Sequence, residues 1–203
     1  EVIEGAPNFR RISPHWPVYV TAQPTASGLH RLKTSHLEQS IVWVNVREEP
    51  IVYINGEPYV LRDQWNTLRN IKTYSGIAAD RVEQMEVKLV EDVVAEAHGQ
   101  YNDRILLHSE VSGALIPLWE AVESAAAVCT PKQLFAVDER LSYHRVPVTA
   151  EQPPEPADFD HIARIVIESG VGGGTGKAVV FNCQMGLTRS TACAVIAVQI
   201  LEA

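Results

Sequence analysis

The 203-residue sequence predicts an α/β fold, a sandwich in which helices flank a central, mostly parallel sheet, with an N-terminal layer of β-hairpin and helix added to it. Two observations carry that expectation. Short apolar runs alternate along the chain with longer segments of helical periodicity, the order that joins parallel strands through crossover helices. Near the C-terminus an apolar run, Lys177-Ala-Val-Val-Phe-Asn182, is followed by a tight loop and then by Ser190 to Leu201, an Ala-rich run long enough for a helix. Strand, loop and helix in that order bring the carboxyl end of a strand to a helix N-terminus, where open α/β sheets place their ligands.

Taken in order, Val18 to Ala22 reads as a first strand and Ser27 to Gln39 as a helix. Ile41-Val-Trp-Val-Asn-Val46 is almost continuously apolar, as expected of a strand covered on both faces. Ile51 to Ile54 and Tyr59 to Leu61 flank Asn55-Gly56, a pair suited to the positive φ of a hairpin turn. Ile77, Val82, Met85, Leu89, Val93 and Ala97 recur at helical spacing, so one amphipathic helix is expected from Gly76 to Ala97, ending before Gly99. Arg104 to His108 reads as a short strand, and Leu115 to Val128 as mostly helical after Pro117. Thr130-Pro131 is a capping pair that opens a further helix to about Glu139. Tyr143 to Thr149 returns as a strand, a Pro-rich loop follows, and a helix runs from Asp158 to Glu168. No internal repeat interrupts the pattern. The expectation is a single domain over 1–203, with 1–99 as the N-terminal layer and 100–203 as the core, excised from a longer protein.

Composition narrows the function. The net charge is −8, without a Lys- or Arg-rich block, which argues against nucleic acid and anionic membrane as partners. No apolar run approaches a membrane span. Three cysteines without framework spacing point to a reducing compartment, so a cytoplasmic location is expected. Cys129 and Cys193 read as small apolar fillers. The seven histidines form no His-x-x-x-His pair and the cysteines no Cys-x-x-Cys, so no metal site is expected, and no cofactor is called for. His108 and His144 read as core or rim residues. The glycine-rich run before Lys177 imitates a nucleotide loop, but Val171 and Ala178 stand where that motif needs glycine and a hydroxyl. It also precedes a strand instead of following one.

The chemistry concentrates between Cys183 and Arg189. A loop between a strand and a helix N-terminus stacks backbone N–H groups around one point, a nest that binds an oxyanion and favours thiolate over thiol. Arg189 adds a planar fork of donors suited to a phosphoryl group. Gly186 permits a positive φ or a close backbone approach in mid-loop.

Cys183 and Arg189, five residues apart and followed by Ser190, resemble the motif of the cysteine-dependent phosphatases, and Gly186-Leu-Thr-Arg-Ser190 looks like their dual-specificity branch. Phe181-Asn-Cys-Gln-Met-Gly186 is narrower and resembles the paladin-type phosphatase-like repeats, relatives of the phosphatase-like phytases. Gly5-Ala-Pro-Asn-Phe-Arg10, Ala22-Gln-Pro-Thr25, Trp43-Val-Asn-Val-Arg-Glu-Glu-Pro50, Tyr53-Ile-Asn-Gly56, Tyr143-His-Arg-Val-Pro-Val-Thr149 and Asp158-Phe-Asp160 extend the likeness over nearly the whole chain.

The resemblance implies a phosphatase-like sandwich that hydrolyses phosphomonoesters through a cysteinyl-phosphate. Cys183 would be the nucleophile. The amides of Gln184, Met185, Gly186, Leu187, Thr188 and Arg189 would hold the phosphate together with the Arg189 side chain. Ser190 would donate to the sulfur; it also reads as a helix cap, and the two roles can coexist. The substrate would be a phosphorylated small molecule (an inositol phosphate or phosphoinositide) or a phosphoprotein, and neighbouring repeats of the same chain are expected partners. A general acid is also implied. The family pattern Thr-Asp-Glu appears here as Thr149-Ala150-Glu151, so Glu151 becomes the candidate acid, ahead of Asp158 and Asp160. The loop residues other than Arg189 are uncharged, and extra cations for a polyphosphate would come from Arg47, Arg145 or Lys177. Ala150 and the uncharged loop fit an alternative: a weak or inactive module that binds phosphate or protein.

Overall fold

The computed structural model describes residues 2–37, 40–62, 76–111, 114–150, 152–174 and 176–203. Its first half contains strands β1 (Arg10–Arg11) and β2 (Val18–Thr21), helix α1 (Ala26–Ser35), strands β3 (Ser40–Arg47), β4 (Ile51–Ile54) and β5 (Glu57–Val60), and helix α2 (Ala79–Gln100). Strands β6 (Arg104–Val111), β7 (Ala114–Ala121) and β8 (Val128–Cys129) follow, then helix α3 (Pro131–Phe135) and strand β9 (Leu141–Val148). Helix α4 (Pro156–Ser169), strand β10 (Lys177–Asn182) and helix α5 (Arg189–Glu202) complete the chain. The fold is α/β, as expected.

Two compact units are formed. The first gathers Glu1–Glu48, Tyr74–Ala79 and Phe135–Ala203, and the second Glu49–Thr73 and Asp80–Leu134. In the first, five strands lie in the order β1-β2-β10-β3-β9, parallel except for β1 against β2. The last strand in sequence thus sits at the centre, between two strands of the first fifty residues. β2 and β3 lie inside the sheet instead of in a layer beside it, because a strand as apolar as β10 is buried along both edges and both faces.

Strand alternation then sorts side chains between the two faces. Val42, Val44, Val46, Val146, Val148, Val179, Phe181 and Cys183 join one apolar cluster with Ile162 and Val166 of α4 and Cys193, Ala194 and Ala197 of α5. The alternate positions include Trp43, whose ring lies 4.8 Å from Phe135, with Phe135 in turn 5.3 Å from Tyr143. That face also carries buried polar groups. Trp43 Nε1 donates to Asn182 Oδ1 (2.7 Å), Asn182 Nδ2 donates to Gln23 Oε1 (2.9 Å), and Asn45 Nδ2 donates to the Tyr143 hydroxyl (3.1 Å). Buried amides paired in this way avoid the cost of unsatisfied donors and fix the strand ends in register.

The second unit holds the antiparallel sheet β5-β4-β8 and the two-stranded β6-β7 ribbon. Asn55 (φ 51°) and Gly56 (φ 84°) make the turn between β4 and β5 that their residue types predict. Several helix expectations need correction. The segment from Leu115 begins in β7, paired in register with β6 (Leu106 opposite Trp119), and residues 125–127 form only a 3-10 turn. Leu115, Ile116, Leu118 and Trp119 suit a pleated ribbon, and Pro117 is tolerated because a two-stranded ribbon is all edge. α3 stops at Phe135, whose ring is drawn under Trp43, well short of Glu139. α2 runs through Gly99 to Gln100, since one glycine costs a helix only about 1 kcal/mol. α1 ends at Ser35, with His36 as its C-cap, short of the expected Gln39.

Asp138 fixes the entrance to β9. Its carboxylate accepts from Arg140 N (2.9 Å), Nε (3.3 Å) and Nη2 (3.1 Å), and pairs with Lys33 of α1 (3.1 Å). The Arg140 side chain above all, then its backbone N–H and Lys33, hold this carboxyl well below the usual range. A depressed carboxyl stabilises the fold above the unfolded value of about 3.9 and loses that contribution as pH falls below it. Asp138→Asn is therefore expected to be less stable than the parent chain at pH 7. The gap should close progressively below about pH 4, where the unfolded parent chain takes up a proton at Asp138 that the folded one still refuses. Urea unfolding at pH 7 and pH 3 reads this; a gap that is the same at both would contradict it.

Candidate active site

Cys183 follows β10 at the carboxyl end of the central strand, and Arg189 opens α5. Between them the loop turns at Gly186, whose φ is 71°. A Cβ on Gly186 would lie 2.4 Å from Ala22 N and 2.5 Å from the Thr21 carbonyl carbon, so the loop packs directly on the backbone at the end of β2 and admits no side chain there.

Cys183 is 2% exposed. Gly186 N–H donates to its sulfur at 3.2 Å, and the Ser190 hydroxyl lies 3.3 Å away. Burial is the largest single influence on the thiol and pushes it upward. The Ser190 side chain and backbone, the Gly186 N–H and the Arg189 charge outweigh burial together, so the net displacement is downward, toward thiolate. Cys193, ten residues on in α5, shows the opposite: burial, Asp158 and Cys183 push its thiol up to about 12. Cys129 is also raised by burial. Environment alone separates one ionisable thiol from two inert ones.

Arg189 is buried, and its Nη1 donates to the carbonyl of Val148 at the end of β9 (3.1 Å). Ser190 is fully buried and is the second residue of α5; the cap position belongs to Thr188, so a capping role for Ser190 is excluded. Gln184, Met185, Leu187 and Thr188 point outward, with Met185 and Leu187 about half exposed. The loop thus presents backbone to its centre and side chains to its rim, the arrangement that suits an oxyanion.

Several expected contributors separate from this group. Lys177 begins β10, six residues before Cys183, which at ~3.3 Å per strand residue is about 20 Å away, at the opposite end of the sheet. It does not contribute a cation to the loop. Arg47 and Arg145 do lie at the carboxyl ends of β3 and β9; both are buried, and Arg145 Nη1 donates to the Arg47 carbonyl (3.0 Å). Asp158 is committed to the start of α4, where it accepts from Glu155 N (2.8 Å), and Asp160 is exposed on the same helix. His144 is half-buried beside Ser142 (3.0 Å), and burial lowers its pKa. His108 lies on β6 of the second unit. Glu151 is outside the described residues. Ala150 donates its N–H to Glu48 Oε1 (2.9 Å), a buried carboxylate just past β3 that the sequence reading did not single out. No group of His, Cys, Asp and Glu that could hold a metal occurs among the described residues, and none of their helices is long and apolar enough to cross a membrane.

Known proteins resemble the chain in sequence and in fold. The mouse and human paladins are 27% and 28% identical to the chain, covering 92% and 94% of it but only 23% and 20% of their own lengths. The chain therefore spans about a fifth of the curated relatives it matches. A PTP-like myo-inositol phosphatase from Mitsuokella multacida, solved in complex with myo-inositol-(1,3,4,5)-tetrakisphosphate, superposes with a TM-score of 0.63 at 17% identity, over 85% of this chain and 27% of that one. A PTP-like phytase from Bdellovibrio bacteriovorus gives 0.58 at 17% identity, over 88% of this chain and 57% of that one. At such identity these likenesses establish the fold. The family model named PTP-like phytase, whose description reads inositol hexakisphosphate, matches residues 44–201. With three quarters of its length matched by that model, the chain belongs to the PTP-like phytase family.

Proposed function

We propose that the chain is a cysteine-dependent phosphomonoesterase domain acting on a phosphorylated small molecule of the inositol phosphate or phosphoinositide kind, or on a phosphoprotein. One observation carries the reading: the buried Cys183 sulfur is held by Gly186 N–H and Ser190 beside Arg189, which displaces its thiol toward the nucleophilic thiolate. The thiolate attacks phosphorus in line. A sulfur–phosphorus bond forms while the bond to the leaving oxygen breaks, and that oxygen takes a proton from a carboxylic acid. Loop amides and Arg189 share the charge on the three equatorial oxygens. Water then attacks the cysteinyl-phosphate, giving up a proton to the carboxylate, and releases phosphate and the thiolate. Ser190 eases that departure by donating to the sulfur.

Proton donation is the restrained step. Ala150 stands where the family resemblance expects aspartate, and absence of a general acid costs about 10²–10⁴ in rate. Ala150 and the uncharged rim favour a second reading, a module that binds phosphate or protein with little turnover. Both readings need the same anion cradle, and they part on catalysis. The relatives' far greater length leaves room for partner repeats.

Two experiments follow from this reading. Iodoacetamide alkylation of Cys183, followed against pH, is expected to show a midpoint well below the ~8.5 of a free thiol, with protection by phosphate or tungstate. An ordinary midpoint without protection would remove the nucleophile. Turnover is expected to be slow on an aryl phosphate, whose leaving group needs little protonation. Ala150→Asp should raise it most, by about 10-fold or more, on an inositol or serine phosphate. Glu151→Gln tests the alternative donor: a selective loss on poor leaving groups would place the acid at Glu151. A chain inactive on aryl phosphates before and after both changes, despite a reactive Cys183, would establish the binding module.

A further inference from the structure

An anion cradle made of backbone N–H groups carries a structural debt: peptides whose N–H groups point inward turn their carbonyls outward, and those oxygens need donors from outside the loop. Three consecutive carbonyls find them. Gln184 O accepts from Gln23 N (3.2 Å), Met185 O from Asn8 Nδ2 (2.8 Å) and Gly186 O from Arg10 Nη1 (2.8 Å). Two of the three donors are side chains from a segment more than 170 residues away in sequence.

That segment is built to hold its position. Pro7 O accepts from Ala22 N (2.8 Å) and from Thr21 Oγ1 (3.2 Å), Phe9 stacks on Tyr19 with 5.5 Å between ring centroids, and Arg10 pairs with Val20 across β1 and β2. Asn8 takes a positive φ of 58°, a conformation asparagine tolerates better than most residues. The Arg10 guanidinium spans the loop and the helix: while Nη1 holds Gly186 O, Nη2 donates to Thr191 Oγ1 in the first turn of α5 (2.7 Å). A planar fork makes both bonds at once, whereas an ammonium does not reproduce that geometry.

We infer that Asn8 and Arg10 are positioning residues that clamp the Met185 and Gly186 carbonyls outward and so hold the amide cradle open for a phosphate oxyanion and the Cys183 thiolate. The inference rests on the reading of that loop as an oxyanion site. Neither side chain acts on the reacting atoms. They work through peptide orientation: Asn8, on the Met185 carbonyl, sets the Gly186 N–H that donates to the sulfur, and Arg10, on the Gly186 carbonyl, sets the N–H of Leu187 in the next peptide.

The test uses the intact chain with Arg10→Lys, Arg10→Met, Asn8→Asp and Asn8→Gly. Glycine keeps the positive φ while removing the donor, and aspartate sets a carboxylate against the Met185 carbonyl. Tungstate protection of Cys183 from alkylation, the pH midpoint of that alkylation, and thermal unfolding are read on each. Arg10→Met and Asn8→Asp are expected to weaken tungstate by about tenfold, the effect of losing a hydrogen bond of this kind, and to move the midpoint upward. Arg10→Lys should fall between Arg10→Met and the parent, and Asn8→Gly should weaken tungstate with little change in melting temperature. Parent-like tungstate affinity and midpoint in all four variants, whether or not the melting temperature drops, would overturn the clamp. A parent chain whose thiol is ordinary and unprotected would overturn both the clamp and the reading beneath it. A parent chain that binds tungstate but hydrolyses no phosphomonoester, with variants weakened as expected, would defeat the phosphatase reading alone and support the clamp.

Discussion

The protein depends on an accounting of backbone hydrogen bonds at one turn of the chain. Between Cys183 and Arg189 the backbone serves two directions at once: the Gly186 N–H donates to the sulfur, while the carbonyls of Gln184, Met185 and Gly186 accept from donors outside the loop. Each half requires the other, because a carbonyl without a donor would rotate its peptide and carry the paired N–H away from the centre. The donors come from the chain's first residues and from the end of β2, and the absence of a side chain at Gly186 lets the loop settle against that strand end. A site in the last tenth of the chain is therefore assembled by the first twenty-odd residues.

The sheet supplies the second half of the arrangement. Because β10 lies between β2 and β3, its carboxyl end delivers Cys183 to the middle of the sheet, and β9 delivers the Val148 carbonyl that accepts from Arg189. One face of these strands is packed with valine and isoleucine, while the other holds Trp43, Asn45, Tyr143 and Asn182 in a paired polar cluster. Asn182 immediately precedes the nucleophile candidate, so the cluster fixes the direction in which the chain leaves the strand. The contrast between Cys183 and Cys193 follows from the same geometry. Both are buried on the α4–α5 side, but at Cys183 the Ser190 hydroxyl, the Gly186 N–H and Arg189 together outweigh burial, whereas at Cys193 burial prevails.

Much of this was legible in the residues. β3 and β10 announce themselves as runs apolar on both faces, and Asn55-Gly56 dictates its turn. The spacing of Cys183, Gly186, Arg189 and Ser190 gives the loop, and Ala150 marks the weak point of the chemistry. What the sequence did not reveal depends on partners distant along the chain. Leu115 to Trp119 is apolar enough for either element, and only pairing with β6 makes it a strand. Lys177 looks like a neighbour of Cys183 until a strand is laid between them. Asn8 and Arg10 carry no local sign of their role, because the carbonyls they hold are more than 170 residues away. Their motif resembled the family's, but a resemblance of residues does not state which atoms meet.

The most direct test of the account is a crystal structure of the chain grown with tungstate or sulfate. The account requires the anion directly over the Cys183 sulfur, ringed by the backbone amides of residues 184–189 and met by the Arg189 guanidinium. An anion seated instead in the glycine-rich run at 170–176, with the Cys183 loop turned carbonyl-inward, would contradict it.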